Sequence, residues 1–245
     1  MPELVAAGPG SIRVVSLVPS VTETLLAWGI VPVGVTRFCE QPDLEAVGGT
    51  KDPDLDRILE LSPDLVVLCR EENRWQDAEA LTASGLNIHV VDVRTVAGVA
   101  LELAALAGAV DLGFGDLRVA GLLGEVEDLP ADPVQERTAF VPIWRKPWMG
   151  LADDTYGADV LRALGVRSVT ADHPDRYPTV TLEEMIEAAP DLVIAPSEPY
   201  PFAERHRAEL ESVAPAVFVD GADLFWWGVR TPAAIGRLGA QLSVG

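Results

Sequence analysis

The feature that most constrains this chain is a repeat. Arg57-Ile58-Leu59-Glu60-Leu61-Ser62-Pro63-Asp64-Leu65-Val66-Val67 aligns without gaps on Glu184-Met185-Ile186-Glu187-Ala188-Ala189-Pro190-Asp191-Leu192-Val193-Ile194. Each copy reads as a helix, a Pro-Asp stop and a buried strand. Proline cannot continue the helix, and aspartate tolerates the turn that follows. The elements flanking the two copies correspond in order as well. A duplicated unit of this kind predicts two similar lobes in one chain.

Short Val/Ile-rich runs alternate with helical patterns, which argues for parallel βαβ units. The expected strands of the first half are Arg13–Val18, Pro32–Val35, Leu65–Cys69 and Ile88–Val93, with helices over Ser20–Trp28, Leu55–Leu61 and Trp75–Ser84 between them. Ser20 or Thr22 is the expected N-cap of the first helix and Gly29 its C-cap. In the second half, strands are expected at Phe140–Ile143, Leu192–Ala195 and Ala216–Val219. Helices are expected at Thr155–Leu164, Leu182–Ala188 and Pro232–Leu242, with Asp153-Asp154 capping the first of these. Thr95–Leu129 has helical composition. Gly113 and Gly115 break it into two helices, the second from Asp116 to Asp128, and Pro130-Ala131-Asp132-Pro133 ends it. The expected organisation is an N-terminal extension (1–11), an N-terminal lobe (12–94), a helical connector (95–136) and a C-terminal lobe (137–245). The fold class is α/β, with two Rossmann-like lobes of parallel sheet joined by a helical linker and a ligand cleft between them.

Composition narrows the function classes. A formal charge of −20 repels phosphate backbones and anionic lipid, so nucleic acid is a poor partner and membrane insertion is not expected. The N-terminus lacks the basic and apolar regions of a signal peptide. That predicts a cytoplasmic protein if Met1 is the native start, and an extracytoplasmic one if a leading segment was removed. No G-x-S-x-G, P-loop or G-x-G-x-x-G motif occurs, and the three histidines are scattered. His89 lies within a strand, His173 in a loop and His206 on a helix expected to be exposed. Enzyme chemistry therefore has no positive support.

The aromatic residues give the main ligand signal. Trp144, Trp148, Tyr156, Tyr200, Phe202, Trp226 and Trp227 all fall at or just after the carboxyl ends of expected strands, the edge where parallel sheets bind ligands. Rings there can stack on a large planar ligand or pack the lobe. In an extended Trp226-Trp227 pair the rings point to opposite sides, so one belongs to the core. Arg145 and Lys146 beside Trp144, and Arg230 after Trp227, suit an anionic group on the ligand. In the N-terminal lobe the corresponding turns supply Pro19, Ser20, Phe38, Cys39, Gln41, Cys69, Glu71, Glu72 and Trp75, and Glu198 joins the C-terminal set. Cys39 and Cys69 lie where the second and third strands end, and neighbouring strand ends would bring them to the same edge. They read as a thiolate pair for a soft metal, as a disulfide, or as two small residues in turns.

The order of these elements resembles the helical-backbone receptors for cobalamin, iron-siderophores and haem that serve ABC importers. Arg13-Val14-Val15-Ser16-Leu17-Val18-Pro19-Ser20-Val21-Thr22-Glu23 is similar to the family's first strand, turn and helix. Gly34-Val35-Thr36 and Val47-Gly48-Gly49-Thr50 are similar to its next landmarks, and the likeness runs to about Leu242. It implies a non-enzymatic binding protein holding a corrinoid, a haem-like ring or a ferric chelate between its lobes. It also implies an ABC permease as partner if the chain is exported, docked through an acidic residue on each lobe. Glu71 or Glu72, and Glu204 or Glu209, are the candidates. Two further readings stand beside it: a cytosolic metal-handling protein or enzyme using Cys39 and Cys69, and an oligomeric module whose aromatics form an interface.

Overall fold

The two Pro-Asp turns form in the same way. Asp64 accepts from the backbone N of Arg13 at 2.8 Å and its own N donates to Arg13 O at 2.8 Å. Asp191 accepts from Thr138 N at 2.7 Å and its N donates to Thr138 O at 3.0 Å. Each aspartate thus fastens the start of one strand to the entrance of its neighbour. The preceding residues, Ser62 and Ala189, are both left-handed at φ 47°, the conformation that closes a helix and frees the chain to reverse.

The computed structural model describes residues 12–113, 115–127, 129 and 137–243. The expected N-terminal extension and the Pro130–Pro133 stop lie outside them. In chain order the elements are β1 (Val14–Ser16), α1 (Pro19–Ala27), β2 (Gly34–Val35), α2 (Leu55–Leu61), β3 (Leu65–Cys69), α3 (Trp75–Ala83), β4 (Asn87–Val91), α4 (Val96–Ala109) and α5 (Leu117–Glu127). There follow β5 (Arg137–Phe140), β6 (Trp148–Met149), α6 (Tyr156–Ala163), β7 (Val166–Ser168), β8 (Thr179–Val180), α7 (Leu182–Ala188), β9 (Leu192–Pro196), α8 (Arg207–Leu210), β10 (Ala216–Val219), α9 (Gly221–Phe225) and α10 (Thr231–Leu242).

The chain divides into two units. The first comprises the described residues up to Val93, Val99–Glu127 and Trp227–Val229. Its parallel sheet has the order β2-β1-β3-β4. The second comprises Arg94–Gly98, the described residues from 129 to Trp226, and those from Arg230 onward. Its parallel sheet reads β7-β5-β9-β10, the same arrangement with β5 in the place of β1 and β9 in the place of β3. The repeat extends into the cores. Ile58, Val66 and Leu68 anchor the first cluster, and their aligned counterparts Met185, Val193 and Ala195 anchor the second. Strands β3 and β9 are buried almost throughout, as expected for parallel strands covered on both faces.

Several boundaries differ from expectation. Neither Ser20 nor Thr22 caps α1. Val18 is the N-cap and Pro19 occupies the first turn, where a missing N–H costs nothing. The Thr22 hydroxyl turns inward to Ser16 Oγ at 2.9 Å. Strand β5 covers 137–140 rather than 140–143, because Pro142 has no N–H to continue a ladder. Asp153-Asp154 does not cap α6. Thr155 does, accepting from Ala158 N, while Asp154 pairs with Arg94 at 3.0 Å and Arg176 at 2.9 Å. Strands β6, β7 and β8 are two or three residues long and carry too little alternation to be read. Within the second unit, α4 begins with Val96 N donating to the buried Asp159 at 2.6 Å.

A left-handed alanine is strained by roughly 1–2 kcal/mol, more than the chain entropy a glycine adds. Ala189→Gly is therefore expected to stabilise the protein by about 0.5–1 kcal/mol, read as a raised midpoint in urea. A lowered midpoint would show that the turn is unstrained.

Candidate functional site

In both units the carboxyl edge of the parallel sheet carries the residues picked out by sequence. In the first unit, β1 leads through Val18 into α1, where Pro19 is partly exposed and Ser20 buried. Strand β2 leads to Phe38, which is 50% exposed with the Arg37 guanidinium 4.9 Å over its ring. Gln41 is partly buried in the same turn. Strand β3 ends at Cys69 and leads through the exposed Glu71 and Glu72 to Trp75, which opens α3 with 63% of its surface exposed. Two large rings are therefore strongly exposed on turns that follow β2 and β3. These strands are not neighbours as expected, because β1 lies between them and pairs with both.

The thiols behave differently from a reactive or metal-binding pair. Both are free. Cys39 is buried, with Sγ 3.2 Å from the hydroxyls of both Thr22 and Thr36. Burial pushes the Cys69 thiol up to about 11, against the pull of the Glu71 and Glu72 backbone N–H groups. A thiol raised in this way is a poor nucleophile at neutral pH. Among the described residues no three His, Cys, Asp or Glu side chains gather closely enough to hold a metal ion.

In the second unit the predicted aromatics separate into two classes. Phe202 is buried, stacked on Trp148 at 5.9 Å and nearly parallel to it. Tyr200 packs on Phe202 at 4.7 Å, and His206 meets both rings at 5.6 Å. His206 is thus buried rather than on an exposed helix; desolvation, with Arg205 and Arg145 nearby, depresses its pKa. Tyr156 is buried too, its hydroxyl 2.9 Å from Thr231 Oγ1. Phe202, Trp148, Tyr200 and His206 form a wall. Trp144 stands on its outer side, edge-on to Tyr200 at 5.6 Å and 44% exposed. The core member of the tryptophan pair is Trp227, 5% exposed and part of the first unit.

Two of the three expected cations prove to be engaged, while Lys146 is exposed. Arg145 donates to Glu209 at 2.8 Å and lies 5.9 Å over Trp148. Arg230 donates to Asp223 at 2.9 Å and lies 5.0 Å over Trp226. Each positions a ring besides offering charge. Asp223, which the sequence reading missed, is 3% exposed and also accepts from Arg237 at 2.7 and 2.6 Å. Nothing in its local sequence marks it, since both arginines reach it from later turns. Glu198 is partly buried beside Tyr200. Of the acidic docking candidates, Glu204 is tied to Arg207 at 2.7 Å and Glu209 to Arg145, whereas Glu71 and Glu72 are exposed.

Two outcomes test this geometry. Iodoacetamide should label Cys69 slowly at neutral pH, with the rate rising toward a midpoint near 11, measured in a Cys39→Ser background. A midpoint near ~8.5, the value of an unperturbed thiol, would refute the burial argument. Asp223→Asn should cost about 2 kcal/mol, less than a fully buried pair because Arg237 is half exposed. Arg237 and Arg230 hold the Asp223 carboxyl below its usual range against its burial. Its contribution is therefore present above the unfolded value near ~4 and lost as pH falls through the lower folded one. The gap between wild type and variant should close in acid denaturation curves.

Comparison with known proteins places this geometry in a group. The vitamin B12-binding protein of Salmonella typhimurium is 29% identical over 189 residues, covering 74% of this chain and 71% of that protein. That of Photorhabdus laumondii is 26% identical over 200 residues, covering 75% and 70%. Among solved structures, the periplasmic vitamin B12 binding protein BtuF of Vibrio cholerae superposes with a TM-score of 0.77 at 22% identity, over 96% of this chain and 97% of that one. The periplasmic heme-binding protein BhuT, in complex with two hemes, gives 0.79 at 23% identity over 96% and 99%. These structures share the fold. Since the periplasmic binding protein family model matches residues 14–206, most of its length, the chain belongs to that family.

Proposed function

We propose that this protein binds a corrinoid of the cobalamin type without converting it, and delivers it to an ABC permease. The observation that carries the reading is the set of exposed rings at the carboxyl edges of the sheets. Phe38 and Trp75 stand out from the first unit, and Trp144 from a packed aromatic wall in the second. A macrocycle offers broad apolar faces, and stacked rings bury that area with little loss of rotamer freedom. The curated relatives named above are vitamin B12-binding proteins, which favours cobalamin over haem or a ferric siderophore. The raised Cys69 thiol counts against a nucleophilic role for it.

Delivery to a permease requires the protein to act outside the cytoplasmic membrane. Among the described residues no helix is long and apolar enough to cross a membrane. Fractionation of the native host should find the protein in the extracytoplasmic fraction; a purely cytosolic pool would remove the transport role.

Isothermal titration against cyanocobalamin, haemin and a ferric siderophore tests the ligand. Binding of the corrinoid alone, with Trp75→Ala and Trp144→Ala each weakening it by about tenfold or more, is the expected outcome. Silence across the panel would reject the reading, and a preference for haemin would replace the ligand.

A further inference from the structure

The two exposed rings of the first unit follow different strands, yet their turns are not independent. Between them in sequence lies the loop Gly48–Pro53, closed by an antiparallel bridge between its end residues. Gly48 has φ +93°, a conformation suited to glycine. On one side the loop holds the Phe38 turn. Arg37 N donates to Gly48 O at 2.9 Å, and the Arg37 guanidinium donates to both Asp52 oxygens at 2.9 and 3.0 Å. That same guanidinium covers the Phe38 ring.

On the other side the loop holds the turn before Trp75. Asn73 Nδ2 donates to Thr50 O at 2.8 Å, while its Oδ1 accepts from Cys69 N at 2.7 Å. Asn73 N donates to Cys69 O at 3.0 Å, closing the turn on itself. The charges run in the same direction. Desolvation raises the Glu72 pKa, and the Lys51 ammonium works against that rise. Arg74, held mainly by Asp77, also feels the charge of Asp52. Thr50 therefore meets Asn73 on one side of the loop, and Asp52 holds Arg37 on the other. Gly49 leaves room for this: a β-carbon there would collide with Asp52 Oδ1 and the Arg37 guanidinium.

We propose that the Gly48–Pro53 loop is a clamp that fixes the Phe38 and Trp75 turns relative to each other, with Asn73, Asp52 and Gly49 as positioning residues for ring recognition. The proposal rests on the reading of those rings as ligand contacts. A turn that swings freely must be ordered on binding, and that ordering weakens affinity. The clamp removes the cost in advance, using residues that touch no ligand.

The test compares Asn73→Asp, which keeps the acceptor for Cys69 N and loses the donor to Thr50, with Gly49→Ala, which displaces the ion pair from the other side. Hydrogen exchange is measured on the unliganded full chain, and cyanocobalamin affinity by titration. Both variants should speed amide exchange by about tenfold at 37–41 and 70–75 while β1 and β3 stay protected. Both should weaken cyanocobalamin by about tenfold with the thermal midpoint nearly unchanged. Exchange that changes only within 48–53, or a lowered midpoint without faster exchange in the two turns, would overturn the clamp. Faster exchange with unaltered affinity would overturn the positioning role. If the wild-type protein ignores cyanocobalamin, the corrinoid reading fails, and the exchange data still decide whether the clamp exists.

Discussion

Each parallel sheet depends on one short contact, the aspartate of the Pro-Asp turn reaching back to the neighbouring strand. The proline stops the helix, the left-handed residue before it reverses the chain, and the aspartate pairs with a backbone N–H and donates its own. A single turn thus sets helix length, strand entry and strand pairing together. Register follows: with Asp64 bound to Arg13, Val14 falls opposite Leu65. With Asp191 bound to Thr138, Ala139 falls opposite Leu192. Apolar burial supplies most of the stabilisation, but burial is non-directional. The turn chooses which of many buried pairings forms.

From that frame the carboxyl edges of both sheets acquire their turns, and here the units diverge. The first unit presents isolated exposed rings, with the half-buried Asn73 bracing the loop before Trp75. The second presents a packed aromatic wall in which Phe202, Tyr200, Trp148 and His206 support one another and Trp144 alone is strongly exposed. The two edges reach the same end, a presented aromatic surface, by different means.

The helix-Pro-Asp-strand units were legible because they rest on local rules: period, stop residue and turn residue within a dozen positions. The short strands β6, β7 and β8 were not, since two or three residues carry no readable alternation and only pairing partners define them. Strand β5 was misplaced by three residues because Phe140–Ile143 is the more apolar run, whereas the ladder is limited by the missing N–H of Pro142. The exposure of His206 was misjudged because its surroundings, Tyr200 and Phe202, lie on the preceding turn rather than on its own helix.

The sequence by itself determined the duplicated α/β plan, because it follows from periodicity and from stops that act within the chain. Only the tertiary structure decided which of the candidate rings are presented and which are core. It buried Tyr156, Phe202 and Trp227, exposed Phe38, Trp75 and Trp144, and committed Arg145 and Arg230 to Glu209 and Asp223. Identity alone cannot make that division, since a tryptophan gains as much from a packed core as from a ligand face. Which of the two it meets depends on neighbours brought from distant parts of the chain.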